Sequence, residues 1–214
     1  MRNWRNHCRR WKTRGTVMID IERNPILKSS VCTLKETSKD KHDGTKSNDY
    51  MIESLLPVVN FDTVKDKYIK DMSLSETPAS NDAFYVDSQG NAYFVEFKNG
   101  VMNRQKVFKV RLKIFDSLLM LTDIGGVSIA DTRDKLTYIL VYNEEKNPVP
   151  EETEYQVSQS RVAISQHYLH KSNKEFIRFD LERFNKLYFK DVFTVNAKRF
   201  NDDFVKKWAG QTAC

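Results

Sequence analysis

The chain has 214 residues, 40% of them hydrophobic, with 13 Phe and 9 Tyr, which is ample material for a packed core. No apolar run approaches the length of a membrane span, and Cys8, Cys32 and Cys214 lie far apart without C-x-x-C spacing, which argues against a disulfide framework or a zinc ribbon and for a reducing, cytoplasmic setting. The net charge of +6 carries little information, because six of the 35 basic residues and none of the 29 acids fall within residues 1–17, leaving the remainder balanced.

That first segment holds Arg2, Arg5, Arg9, Arg10, Lys12 and Arg14 interleaved with Trp4 and Trp11. Such a pattern suits single-stranded nucleic acid; it has no apolar stretch of the secretory-signal kind. Met18 offers an alternative start, with 1–17 then a translated leader. Residues 1–47 read as a basic and polar N-terminal segment, flexible in part, with 37–47 a loop or disordered connector. Residues 48–214 read as a single α/β domain.

Within that domain the spacing of Met51, Ile52, Leu55 and Leu56 predicts a helix from 48 or 49 to Pro57, with Glu53 opposite its apolar stripe. A second helix is expected after Asp62, with Val64, Tyr68 and Ile69 inward. Residues 71–81 are mostly polar and suggest no strand. Two aromatic-rich runs, 81–86 and 92–98, then flank the turn formers Asp87-Ser88-Gln89-Gly90-Asn91, the pattern of a β-hairpin. A five-residue loop pairs Val86 with Ala92, Phe84 with Phe94, and Asp82 with Glu96.

Asn99-Gly100 makes a turn, and a long helix is predicted over 103–122. Val107, Val110, Ile114, Leu118 and Leu121 recur at helical spacing, as do Phe108, Leu112, Phe115 and Leu119, so the helix is expected to be largely buried. Its first turns carry Arg104, Lys106, Lys109, Arg111 and Lys113 with no acid before Asp116, positive charge suited to phosphates. Residues 136–142 form a continuous apolar run, the mark of a central strand covered on both faces, and the helix before it fits a crossover within one sheet. Further on, 161–170 is a short helix or strand, and His167 and His170 are three apart without a partnering Cys or acid. A short strand is expected at 176–179, then a helix capped by Asp180 with Leu181, Phe184, Leu187 and Tyr188 inward, and a strand at 191–195. Phe200, Phe204 and Trp208 mark a closing helix whose aromatic stripe is core or an interface.

The hairpin carries the chemistry. Cross-strand partners project from one face with Cβ atoms roughly 4.5–5.5 Å apart, and period-two alternation puts Lys98 on the face of Glu96 while Phe97 points away. Two carboxylates that close repel unless a proton or cation is shared between them. A hard divalent cation such as Mg²⁺ does this with one or two protein carboxylates, waters and substrate phosphate. It also lowers the pKa of a bound water and stabilises phosphoryl charge, and a nearby lysine can position that water or hold the charge. A second acid-x-Lys triplet, Glu144-Glu145-Lys146, lies in a polar loop; only Glu96 and Lys98 interrupt an apolar strand, where charge is costly unless paired or used. A structural salt bridge is the competing reading.

An Asp, about a dozen residues, then Glu-x-Lys on a strand followed by a helix resembles the PD-(D/E)XK nuclease superfamily, over about 50–143. The resemblance implies a restriction-endonuclease-like core, a small mixed β-sheet flanked by helices, and Mg²⁺-dependent (or Mn²⁺-dependent) cleavage of nucleic acid phosphodiesters, DNA before RNA. It implies metal ligation by Asp82 and Glu96, an accessory acidic ligand at Glu53, a catalytic role for Lys98, and an orienting role for Gln105 on the following helix. Asn81 stands where the motif has its Pro. The expected partner is nucleic acid, contacted by Arg104, Lys106 and Lys109, with a protein partner or homodimer open. The alternatives are a non-catalytic nucleic-acid-binding module and a protein-interaction module on the same fold.

Overall fold

The computed structural model describes residues 19–40, 50–148 and 177–212. Six strands form one mixed sheet in sequential order: β1 (Val31–Thr33), β2 (Pro57–Asn60), β3 (Ala83–Val86), β4 (Ala92–Lys98), β5 (Leu136–Tyr142) and β6 (Asp191–Asn196). The pairings β1–β2, β2–β3 and β3–β4 are antiparallel, whereas β4–β5 and β5–β6 are parallel. The sheet is flanked by helices, as the α/β expectation required. Among the described residues no helix is long and apolar enough to cross a membrane.

The hairpin has the expected register: Val86 opposes Ala92 and Phe84 opposes Phe94. Asp87 fixes its loop, accepting from the backbone N–H groups of Gln89 and Asn91 on one carboxylate oxygen, while Gly90 supplies the positive φ of 79° that a side chain would resist. Period-two alternation then sorts the strands into two cores. Phe84, Phe94, Tyr138 and Leu140 face α4 (Arg104–Gly125), which presses Val110, Ile114, Leu118 and Leu121 onto them. Tyr85, Val95, Phe97, Ile139 and Val141 face the closing helical segment, with Phe200 and Trp208 buried against them. That segment runs from α6 (Ala197–Phe200) through a π-helical stretch (Asn201–Val205) into α7 (Lys206–Thr212); of the two roles open to its aromatic stripe, core or interface, it takes core.

Capping explains where the long helices begin and end. Asn103 accepts from the Lys106 N–H at the start of α4, and Gly126 ends it in the left-handed region, the usual pairing of an Asx N-cap and a glycine stop. The helix α3 (Phe61–Met72), expected after Asp62, is capped by Asn60 accepting from the Thr63 N–H. Short helices α1 (Pro25–Lys28), α2 (Leu34–Thr37) and α5 (Ile129–Lys135) complete the described elements, with a single 3₁₀ turn at Glu182–Phe184.

Several expectations fail for identifiable reasons. Residues 52–56 are not helical: Ile52, Leu56 and Val58 are buried while Glu53, Leu55 and Pro57 are exposed, an alternation of period two. The Leu34 and Lys35 N–H groups donate to the carbonyls of Leu56 and Ser54, and Pro57 disfavours helical geometry at the residue before it. The sheet also begins before residue 48, since β1 is its edge strand and Leu27 and Leu34 are fully buried. No strand forms at 177–179, because Phe179 and Asp180 both take positive φ. The expected helix after Asp180 is reduced to the 3₁₀ turn, followed by Lys186 at φ 61°. Finally, α4 buries only one of its two stripes: Phe108, Leu112, Phe115 and Leu119 are exposed. The segments at 1–17 and 161–170, with His167 and His170, lie outside the described residues.

Phe61, Phe84 and Phe94 join α3 to the hairpin, with ring centroids 4.9 Å apart for Phe61–Phe94 and 5.3 Å for Phe84–Phe94. Phe94→Ala is expected to cost about 3–5 kcal/mol in urea denaturation; a loss below about 1 kcal/mol would contradict this packing.

Candidate functional site

Asp82 lies one residue before β3, where the hairpin ladder ends. Its backbone N–H donates to the Val95 carbonyl at 3.2 Å, and its Oδ2 accepts from the Phe97 N–H at 2.7 Å. The carboxylate thus continues the ladder beyond the last paired residues and is fixed in orientation. Glu96 stands opposite, within β4 and beside Leu140 of β5. It has no solvent exposure, and it faces α4, as the alternation requires.

The cation between the two carboxylates belongs to the chain itself. Lys113 Nζ lies 3.0 Å from Asp82 Oδ1 and 2.7 Å from Glu96 Oε1. Lys98 Nζ bonds the same Glu96 oxygen. Glu96 Oε2 is buried without a hydrogen-bond partner among the described residues. Two carboxylates and two ammonium groups sum to zero charge when both acids are ionised.

The electrostatics follow from burial. Burial and the neighbouring Glu96 raise the Asp82 carboxyl to about 6, against the opposing pull of Lys113, Lys98 and the Phe97 N–H. For Lys113, burial works against the charged form, but Glu96 and Asp82 outweigh it and hold the ammonium group above its ordinary pKa. Tyr138, buried on the same face of the sheet, has its phenol raised by burial and then by Glu96 and Asp82. Its hydroxyl also lacks a partner among the described residues.

Polar side chains hold the approach to Asp82 in place. Asp116 accepts from the Ala79 N–H and Ser117 Oγ from the Asn81 N–H, each at 2.7 Å. Ser80 Oγ donates to Asp62 Oδ1 at 2.5 Å. Lys113, Asp116 and Ser117 therefore anchor 79–82 along one side of α4. Asn81 is fully buried, and neither side-chain atom has a partner among the described residues.

The sequence-derived site residues divide clearly. Asp82, Glu96 and Lys98 come together as expected. Glu53 does not join them: it is exposed and paired with Lys35 at 2.5 Å, and among the described residues no three His, Cys, Asp or Glu side chains are grouped for metal binding. Arg104, Gln105, Lys106 and Lys109 occupy the first two turns of α4. None of these cations pairs with Asp82 or Glu96, whose partners are Lys98 and Lys113; Lys106 folds back over Gly100. Gln105 is exposed. In the sequence Lys113 is one of five basic residues between 104 and 113. Its signal was position: three residues after Val110 and four before Ser117, it borders the buried stripe.

Asp82 Oδ1 and Glu96 Oε1 converge on a single cation from fixed positions, and both are hard oxygen donors. By donor type they fit a Mg²⁺-like ion; by charge, such an ion competes with Lys113. No protein-family model, characterised protein or solved structure matches the chain.

Two outcomes are expected of this cluster. Lys113→Met leaves Glu96 and Asp82 facing each other across a buried site and should cost about 3–5 kcal/mol near neutral pH. Lys98→Met should cost less, because Lys113 remains; equal losses in urea melts would contradict the bridging role. The Asp82 shift sets a pH window. A carboxyl raised in the folded state favours folding while protonated, and that contribution disappears as pH rises from 3.8 to about 6. Wild type should therefore lose stability relative to Asp82→Asn across that window, and parallel profiles would contradict the shift.

Proposed function

We propose that the chain is a Mg²⁺-dependent nuclease that hydrolyses nucleic acid phosphodiester bonds, DNA in preference to RNA, in the cytoplasm. The observation that carries this reading is the convergence of Asp82 Oδ1 and Glu96 Oε1 on one cation position, with Lys98 on the same Glu96 oxygen. The PD-(D/E)XK-like spacing supports it, as does the location: Glu96 and Lys98 lie toward the C-terminal end of β4, in the parallel part of the sheet, where α/β proteins commonly bind ligands.

Each residue then has a defined task. Asp82, held by the Phe97 N–H, and Glu96, held by burial, present fixed oxygens. A divalent cation bound there supplies Lewis-acid stabilisation of a phosphoryl oxygen and a water of lowered pKa. Lys98 orients water or balances the charge growing on the phosphoryl group. Lys113 keeps the two acids together before loading. Arg104 and Lys106, at the start of α4, contact flanking phosphates; Lys109 and Gln105 occupy the same turns.

A second reading has its own support. Lys98 and Lys113 neutralise both carboxylates without any added cation, so the cluster is also consistent with a buried ion network on a non-catalytic nucleic-acid or protein-binding module.

Calorimetric titration of Mn²⁺ and Mg²⁺ into wild type and a folded Asp82→Ala/Glu96→Ala variant separates the two, followed by cleavage assays on duplex DNA, single-stranded DNA and RNA. The nuclease reading expects ion binding by wild type alone, and cleavage that falls at least about 100-fold in Glu96→Gln. Nucleic acid binding without cleavage in either ion would establish the second reading.

A further inference from the structure

The outward face of α4 carries an apolar ridge that no described element covers. Phe108 is 65% exposed, Leu112 43%, Phe115 41% and Leu119 63%. Single exposed apolar residues are ordinary, but a contiguous row marks a contact surface. The intervals are four, three and four residues, the spacing of a helix–helix seam. Val110 and Ser117, on the opposite side, are fully buried against the sheet. The ridge is therefore not a misplaced core stripe but a second interface on a helix whose first is already occupied. It widens to one side, where Phe115 packs edge-on against Phe184 at 5.5 Å and Tyr188 at 5.9 Å, and the neighbouring Leu187 is 52% exposed.

We infer that this ridge is the two-fold interface of a homodimer, with α4 packed antiparallel against α4 of a second copy. The charge pattern selects both the occupant and its direction. Arg104 and Lys109 are exposed at the N-terminal end of the ridge and Asp123 at its C-terminal end. A parallel pairing sets Lys109 beside Arg104 of the other copy, a like-charge contact, and sets Asp123 beside Leu118. An antiparallel pairing sets Lys109 against Asp123 twice, aligns Leu112 with Leu119, and opposes the two helix dipoles. Asp116, which this arrangement brings near the axis, is turned aside: its Oδ2 accepts from the Ala79 N–H. The ridge is thus complementary to itself when reversed, as a two-fold contact requires. The dimer takes Lys109 out of any nucleic acid contact and leaves Arg104 and Lys106 at the helix start. It rests on none of the nuclease assignment.

Sedimentation of the full chain over a concentration series tests the proposal. The expected species has twice the 25.1 kDa chain mass, and Leu112→Glu/Leu119→Glu should be a folded monomer whose melting temperature, unlike that of wild type, does not rise with protein concentration. Lys109→Asp alone should weaken the dimer roughly 10-fold, and adding Asp123→Lys should restore it. Asp123→Lys also removes the Tyr68 hydroxyl's acceptor, which lies at 2.8 Å, so Asp123→Asn serves as the control that keeps an acceptor but not the charge. A wild type that stays monomeric overturns the inference, including one whose ridge amides are protected from exchange by other residues of the chain. A dimer that survives the double Glu substitution overturns it as well, and failure of the charge swap to restore affinity overturns the antiparallel arrangement.

Discussion

A carboxylate with no exposure inside a sheet must be neutralised where it stands, and Glu96 imposes that requirement on its neighbours. Its charge is met from two directions, by Lys98 two residues along the strand and by Lys113 from the helix above. The second contact fixes how α4 lies over the hairpin, because Lys113 must also reach Asp82. One turn further, Asp116 and Ser117 hold the backbone of 79 and 81. The polar approach to β3 is thus kept against the helix by the same face that supplies the ammonium group. Removing Glu96 would release more than a charge; it would remove the reason for Lys113 to be buried.

Under the proposed nuclease reading, this arrangement would keep the two carboxylates stable before a divalent ion arrives. The tethered ammonium of Lys113 sits between the carboxylates, satisfying them while they are held rigidly by the Phe97 N–H and the strand. A divalent ion held by Asp82 and Glu96 would have to displace Lys113 from between them. That displacement bears on affinity, since the displaced ammonium group must find water or phosphate elsewhere. Glu96 Oε2, the Asn81 amide and the Tyr138 hydroxyl, buried without partners among the described residues, mark the surroundings as more polar than a sealed core needs.

Much of this was legible in the residues. The hairpin register followed from alternating aromatics around 87–91, and strand β5 from an unbroken apolar run. The aligned Glu96 and Lys98 followed from period two alone. What escaped depended on contacts distant in sequence. Residues 51–56 satisfy helical and extended spacing equally well, and pairing with Leu34 and Lys35 decides between them. The two stripes of α4 are equally apolar, so only the placement of the sheet shows which is inside. Lys113 looked like its four basic neighbours because nothing local distinguishes an ammonium group bound for a buried acid from one bound for solvent. Its place at the border of the buried stripe was the one available clue.

The most direct test is anomalous diffraction from crystals grown with Mn²⁺. If Asp82 and Glu96 hold the metal, a manganese peak lies at bonding distance from both, with the Lys113 side chain withdrawn from between them. Crystals saturated with Mn²⁺ in which Lys113 still bridges the two carboxylates, and no peak lies beside them, would contradict that assignment and leave the cluster as a structural ion network.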